Sequence, residues 1–486
     1  MLSLLLHREA GEVATPPRRG GAVSNSPGRI APRWHAGAET EGAFTAVQEP
    51  MSDLSLGVDF GTTNTVVALA GASGPASLVP LAAPGGVTTA FRSALGFQAP
   101  PERPSERQVT AGPWALEAYA EDPAEVRFVQ SFKTFAASES FSETQILGRR
   151  YRFEDLLSTF LLKLREHAGD GLPPVGRVVI GRPVVFAGAS AREGLAIARY
   201  ETAFRRLGFT DIRYAYEPVG AAFFFARDLA ADATVLIGDF GGGTSDFSIV
   251  RFERPRTGDA AREIRAQALG RSGVGVAGDA FDYRIIDNLV SPTLGKGSSY
   301  RSFGKVLPVP YRYYAAFARW DQLALMRASR EMREIRSLER DAVDPEKIAR
   351  LIEVLDDNLG YQLYRAVSDL KIALSEHEQA QFSFRAGTIV VERDVARAEF
   401  EGWIAPELAL MDAAVDAALA DAGVGAEAID RVFLTGGTSL TPAVRGLFRR
   451  RFAPERIETG AELESIASGL ALIGRERNLD RWTSRA

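Results

Sequence analysis

At 486 residues the chain is too long for one hydrophobic core, so about two to four folding units are expected. Its 46% hydrophobic and 24% charged content is ordinary for a globular protein, and a net charge of −5 argues against a nucleic-acid partner, which calls for a basic face. There is no cysteine, and the histidines are His7, His35, His167 and His377; this excludes disulfides, thiolate nucleophiles and Cys-ligated metals, and speaks against a His-built metal site or a Ser-His-Asp triad.

Residues 1–50 are rich in Gly, Pro, Ala and Arg without a period and read as a disordered tail, with Met51 a candidate translation start. Leu2 to Leu6 is too short for a signal-peptide core. No apolar run approaches the ~18–20 residues of a bilayer span. With no cysteine, a cytoplasmic protein without a membrane partner is expected.

The first strand pair follows in Leu56-Gly-Val-Asp59-Phe60-Gly61-Thr62-Thr63-Asn64-Thr-Val-Val-Ala-Leu69: apolar run, small polar turn, apolar run. Residues 98–113 read as loop. Residues 126–133 end on Lys133, a lone lysine among apolar and small residues, of a kind that is mostly solvated. Helical spacing marks 153–167, a buried strand 177–184 and an amphipathic helix 192–207. The strand 212–216 runs into Glu217-Pro218 and a helix. Glu217 therefore sits just past a strand's carboxyl end, where α/β proteins gather functional groups; alternatively it only complements the helix dipole. Strand–helix alternation with a hairpin at the start indicates an α/β fold with a mixed sheet.

A second hairpin, Leu236-Ile-Gly-Asp239-Phe240-Gly241-Gly242-Gly243-Thr244-Ser-Asp246-Phe-Ser-Ile-Val250, repeats the first. A strand over 262–269 leads into a glycine-rich loop, 270–278, and a helix starting near Asp279, a candidate anion site. Residues 290–375 form a distinct block: an aromatic cluster of Tyr311, Tyr313, Tyr314 and Trp320, read as core, and long charged helices over 320–340 and 345–375. Strands are expected at 380–384 and 388–391, and a helix at 399–423. Then Arg431-Val-Phe-Leu-Thr-Gly436-Gly437-Thr438-Ser-Leu440-Thr441-Pro442 is strand, Gly-Gly loop and helix, with Thr441 as cap and Pro442 in the first turn. A helix over 464–476 ends the chain.

Asp-Phe-Gly recurs with Asp59 and Asp239 in equivalent places, which suggests two related halves. Three consecutive glycines exceed the needs of a hairpin; they let backbone N–H groups approach an anion closely. Two facing turns of this kind make a phosphate clamp with a carboxylate on each side. Asp-Phe-Gly here lacks the catalytic loop of protein kinases, and Gly295-Lys296-Gly297-Ser298 lacks the context of a P-loop. Arg449 to Arg451 reads as a solvated helix face.

Asp-Phe-Gly-Thr-Thr-Asn, Tyr-Glu-Pro-Val-Gly-Ala-Ala, Gly-Asp-Phe-Gly-Gly-Gly-Thr-Ser-Asp and Leu-Thr-Gly-Gly-Thr-Ser occur in that order. Together they resemble the nucleotide-binding domain of heat-shock protein 70 (DnaK-type) chaperones, over roughly residues 54–480, and are most similar to the divergent YegD-like members. The resemblance implies a two-lobed, actin-like ATPase fold of duplicated ribonuclease-H-like lobes: lobe I over 51–234, lobe II over 235–461 with a helical insert at 290–375, and a C-terminal helix in 462–486 returning to lobe I. It implies that Asp59 and Asp239 hold hydrated Mg2+. Gly61, Thr62, Thr63 and Asn64, with Gly241, Gly242, Gly243 and Thr244, correspond to the phosphate turns. Lys133, Glu217, Asp246 and Thr244 match the catalytic group. Gly278 and Asp279 match the loop after the second hairpin, Lys371 and Ser375 the adenosine-side helix, and Gly436, Gly437 and Thr438 the adenosine loop.

Ser368, Ile372 and Leu440 depart from the family pattern on the adenosine side, so weaker adenine binding or a looser base preference is expected. The linker, peptide-holding β-sandwich and lid of the family have no counterpart in these residues, so peptide holding of the usual kind is not expected. The implied function is ATP-dependent and chaperone-like, with nucleotide and, on the protein side, unfolded polypeptide or co-chaperones as partners. A small-molecule kinase of the same superfamily, an actin-like filament protein and a scaffold that only binds ATP remain as alternatives.

Overall fold

The computed structural model describes residues 54–99, 107–122, 125–173, 175–186, 190–226, 231–253, 265–315, 317, 330–357, 359–459, 464–476 and 478–486. The expected tail, the candidate start at Met51 and Trp320 lie outside these residues.

The first lobe is built from β1 (Ser55–Phe60), β2 (Asn64–Ala70), β3 (Ser77–Leu78), β4 (Ala90–Arg92), β5 (Ala94–Gln98), β6 (Gln108–Ala111), α1 (Pro113–Glu121), β7 (Arg127–Gln130), α2 (Phe153–Ala168), β8 (Arg177–Arg182), α3 (Glu193–Arg206), β9 (Asp211–Tyr216) and α4 (Glu217–Ala226). Its main sheet runs β9-β8-β1-β2-β3, with β4 also on β2. The second lobe opens with β10 (Ala233–Phe240), β11 (Ser245–Glu253), β12 (Arg265–Val274) and α5 (Gly278–Ile285). An intervening block contains β13 (Ser299–Ser302), β14 (Lys305–Pro308), α6 (Arg330–Asp341), α7 (Pro345–Asp356) and α8 (Gly360–Glu376). After it come β15 (Gln379–Ala386), β16 (Ile389–Ala396), α9 (Arg397–Trp403), α10 (Ala405–Ala422), β17 (Arg431–Thr435), α11 (Pro442–Arg449), β18 (Ile457–Thr459) and α12 (Ser465–Ile473).

The second main sheet runs β12-β11-β10-β17-β18. In each sheet a strand pairs antiparallel with the next one in the chain and parallel with a later one: β1 with β2 and β8, and β10 with β11 and β17. Both sheets thus have three antiparallel strands continued by two parallel ones, which is the duplication expected from the two Asp-Phe-Gly hairpins. β1, β8 and β10 are buried almost throughout, as strands covered on both faces must be.

Helices α4 and α12 cross between the two sheets. Nothing larger than hydrogen fits at the crossing, since a Cβ on Gly469 would fall 1.6 Å from Gly220 O. All nine residues of α12 are buried, and Ala467 and Ala471 pack on Val66 and Ala68 of β2. Among the described residues no helix is long and apolar enough to cross a membrane.

Several elements differ from expectation, each for a local reason. The helix expected over 399–423 is two, α9 and α10, broken at Ile404 because Pro406 in the next first turn has no N–H to continue the ladder. The one expected over 345–375 divides into α7 and α8 on either side of Asp357. Residues 108–111, expected as loop, form an antiparallel partner of β5. The strand expected to stop at 269 continues to Val274, and Gly270 serves helix packing, because a Cβ there would meet Ala422 N at 2.4 Å. The block after residue 290 carries a hairpin, β13–β14, as well as helices. Within the aromatic cluster Tyr313 and Tyr314 are core, but Tyr311 is 53% exposed.

Candidate functional site

The two hairpin turns close in the same way. Gly61 N donates to Asn64 O at 3.0 Å, and Gly241 N donates to Thr244 O at 2.9 Å. They also face each other: a Cβ on Gly242 would stand 2.9 Å from Thr63 Oγ1 and 3.0 Å from Asp279 Oδ1. A Cβ on Gly243 would meet nothing within 4 Å. The paired turns expected from sequence are therefore apposed, with the Thr63 hydroxyl of one against Gly242 of the other.

The second turn is held from behind by three other expected residues. Thr438 Oγ1 donates to Gly241 O at 3.0 Å, Gly278 N to the same oxygen at 3.4 Å and Asp279 N to Gly242 O at 2.8 Å. Gly436 has φ +83°, and a Cβ there would lie 2.1 Å from Phe240 O, so both conformation and space require glycine. Gly437, the next residue, opens the short helical turn that carries Thr438. Lys371 Nζ pairs with Asp282 at 2.6 Å, and a Cβ on Gly278 would come within 3.6 Å of that Nζ. Burial disfavours the Lys371 charge, but Asp282 and Tyr364 outweigh it and hold the ammonium above its ordinary range. Ser375, one turn further along α8, donates to Lys371 O at 2.9 Å. Leu440, Ser368 and Ile372, the departures from the family pattern, are partly buried.

Carboxylates converge beneath the turns. Asp59 and Asp239 stand one residue before the ends of β1 and β10, Asp246 lies opposite Asp239 in the sheet register, and Glu217 opens α4. Asp239, Asp246 and Glu217 are buried. The Lys133 ammonium pairs with Glu217 Oε1 at 2.7 Å, with both side chains at most a tenth exposed. Burial pushes Asp59 up to about 7, Glu217 adds to this and Lys133 opposes it. Burial, Glu217, Asp59 and Asp246 together hold Asp239 well above the usual carboxylate range. Asp246 is pushed up to about 7 by burial and Glu217, against the Thr244 hydroxyl and the Val185 and Val184 amides. Burial works against the Lys133 charge as well, but Glu217 and its other neighbours more than compensate.

Four carboxylates, three of them buried, thus lie near the Lys133 ammonium, an arrangement that a cation would relieve. Among the described residues no group of three or more His, Cys, Asp or Glu side chains is assembled to ligate a metal directly. Two carboxylates are what an ion that keeps several of its waters, as Mg2+ does, takes from a protein, and Asp59 and Asp239 are the candidates for it.

Some contributors carried no sequence signal. Asp246 Oδ1 accepts from the backbone N–H groups of Val184 at 2.8 Å and Val185 at 3.2 Å, which ties the first lobe to the second; backbone donors are silent in a sequence. Arg92 lies opposite Asn64 on β4 and donates to Tyr364 OH at 3.3 Å and Gln130 Oε1 at 3.4 Å, reaching from the first lobe to α8. Beside it Ser93 Oγ donates to Gly61 O at 2.7 Å. A groove of about 630 Å3, lined by Arg397, Glu401, Asp412 and Arg450 among others, contains none of the expected site residues.

A family model described as Hsp70 protein matches residues 125–297 and 343–476. The chaperone protein DnaK of Thermus thermophilus is 26% identical to the chain, the match covering 86% of this chain and 60% of that protein. The chain therefore spans about 60% of the length of this curated relative.

Proposed function

The chain belongs to the Hsp70 protein family, and on that premise we propose that its two facing turns bind Mg-ATP and hydrolyse the γ-phosphate in a chaperone-like cycle. The observation that carries this is the apposition of Thr63 and Gly242 above the Asp59, Asp239, Glu217, Asp246 and Lys133 cluster.

With the Gly61 and Gly241 N–H groups closing the turns, the remaining backbone N–H groups of Gly61 to Asn64 and of Gly241 to Thr244 would hold the β and γ oxygens. Asp59 and Asp239 would hold a hydrated Mg2+, which would offset phosphate charge. Lys133 neutralises charge developing on the γ-phosphoryl group. Glu217 and Asp246 accept hydrogen bonds from the attacking water, and Thr244 supports Asp246. The water forms a bond to phosphorus as the bond to the ADP oxygen breaks, leaving ADP and inorganic phosphate. Positioning and charge carry such a reaction, with little covalent work for the protein.

Lys371, Ser375, Gly436, Gly437 and Thr438 form the adenosine side, with Gly278 and Asp279 supporting the second turn. Lobe I runs over 51–234, lobe II over 235–461 with its insert at 290–375, and 462–486 returns to lobe I. Opening and closing of the lobes couples nucleotide state to a bound partner, unfolded polypeptide or a co-chaperone, in the cytoplasm. The test is titration of Mg-ATP against the purified protein with turnover measured, with and without unfolded polypeptide. Saturable hydrolysis is expected; binding without turnover would replace this reading with a nucleotide-locked scaffold.

A further inference from the structure

We infer that Arg182 is a positioning residue that takes up the Glu217 carboxylate when Lys133 turns from it toward the phosphate. The inference rests on the ATPase reading above and deepens it.

In this structure Lys133 is committed to Glu217. A lysine that neutralises a phosphoryl group must loosen that contact, which leaves a carboxylate only 4% exposed without its cation. Buried charges are not left uncompensated without a large loss of stability, so a second cation is required within reach of Glu217.

Arg182 meets that requirement. It ends β8 directly opposite Tyr216, the residue before Glu217. The preceding residue, Gly181, is so close that a Cβ on it would lie 3.0 Å from Glu217 Cγ. Arg182 is 5% exposed, and its guanidinium lies 4.6 Å from the centre of the Tyr216 ring and 5.5 Å from that of Phe186. Nη1 donates outward to Glu193, whose side chain is 58% exposed. Nε and Nη2 are buried and have no hydrogen-bond partner among the described residues. Buried N–H groups on a charged side chain are nearly always satisfied, so two such donors, on a residue opposite the one that precedes Glu217, point to a partner acquired in another state. Burial opposes the charge on Arg182, and Glu193, Tyr216 and Glu217 restore it.

A guanidinium suits this role because it stays charged and meets a carboxylate with two parallel N–H groups. The Arg271 guanidinium of β12 lies 4.4 Å from the same Tyr216 ring. The hand-over therefore takes place at a contact between the lobes.

The competing account makes Arg182 a packing residue held by Glu193 and two rings. Single-turnover hydrolysis of Mg-ATP and calorimetric binding of Mg-ADP by Arg182→Met, Arg182→Lys, Glu217→Gln and Arg182→Met/Glu217→Gln separate the two. Arg182→Met is expected to slow hydrolysis about 10²-fold, as for a misplaced reacting group, with KM nearly unchanged. Arg182→Lys recovers part of the rate, and Arg182→Met adds nothing in the Glu217→Gln background.

Thermal unfolding without nucleotide supplies a readout independent of turnover. Lys133→Met/Arg182→Met should unfold at a temperature lowered by more than the two single shifts together, because Glu217 then has neither cation, and adding Glu217→Gln should restore the difference. Additive shifts, or Arg182→Met hydrolysing at the unmodified rate, overturn the inference. If the unmodified protein does not hydrolyse ATP, the ATPase reading fails, while the unfolding cycle still decides whether Arg182 can take up Glu217.

Discussion

The turn after Asp59 and the turn after Asp239 share one backbone closure but use glycine for different ends. In the first, a Cβ on Gly61 would lie 2.4 Å from Asn64 O, its own turn. In the second, the close contact of Gly242 is with Thr63 and Asp279, outside the turn. The first turn keeps side chains at Thr62, Thr63 and Asn64 and is fastened to β4 through Ser93. The second has glycine at 241, 242 and 243, keeps only the Thr244 side chain, and is held by Thr438, Gly278 and Asp279. One jaw supplies side chains and the other supplies the space for them, so a repeated motif does not imply repeated constraints.

The strongest break of this pair comes from the cation between them. Lys133→Ala should lower single-turnover hydrolysis by roughly 10²–10³-fold with nucleotide binding largely kept; unchanged hydrolysis would remove Lys133 from the mechanism. Next, the two glycines should fail differently. Gly242→Val places methyl groups against Thr63 and should weaken Mg-ADP binding by about tenfold or more, the effect of an overpacked contact, while the melting temperature falls little. Gly61→Ala should act on the turn itself and lower the melting temperature, and Gly243→Ala, with open space around it, should do least of the three; calorimetry and thermal unfolding of the set compare them.

Charge offers a smaller and graded probe of the same gap. Asp59 and Asp246 rise from 3.8 to about 7 on folding, so between those values the folded state binds more protons than the unfolded one. Stability without Mg2+ and nucleotide should therefore be highest on the acid side and fall as pH rises toward 7. Mg-ADP, by neutralising the ionised cluster, should flatten that slope in thermal unfolding. A slope of opposite sign would mean that these carboxylates are already compensated. The smallest effect is expected at the adenosine side: Leu440→Arg should tighten Mg-ADP binding by only a few-fold, the range of one cation–π contact.

Much of this site is legible because its parts are local. Asp59 to Asn64, Asp239 to Asp246 and Gly436 to Thr438 are each a strand end with its turn, and apolar alternation followed by small residues marks such places. Glu217 is marked by the proline after it. Lys133 carries no local mark, and only the family resemblance singles it out. The Val184 and Val185 amides on Asp246, and the reach of Arg92 to Tyr364, are long-range contacts made by residues ordinary in their own segments. The division between α7 and α8 leaves no mark in the sequence, because charged residues keep a helical period from one helix into the next.

The crossing of α4 and α12 bears on how the chain is made as well as on how it is held. β1 and β2 are among the first described segments to leave a ribosome, yet Gly57 is matched to Ala467, a Cβ there falling 2.2 Å from Ala467 O. The residues that cover one face of the first sheet are thus synthesised roughly four hundred positions later, a very non-local pairing of the kind that slows folding. Until α12 arrives, Val66 and Ala68 are without the helix that covers them, and the nascent first lobe exposes an apolar sheet face of the kind that aggregates or recruits chaperones.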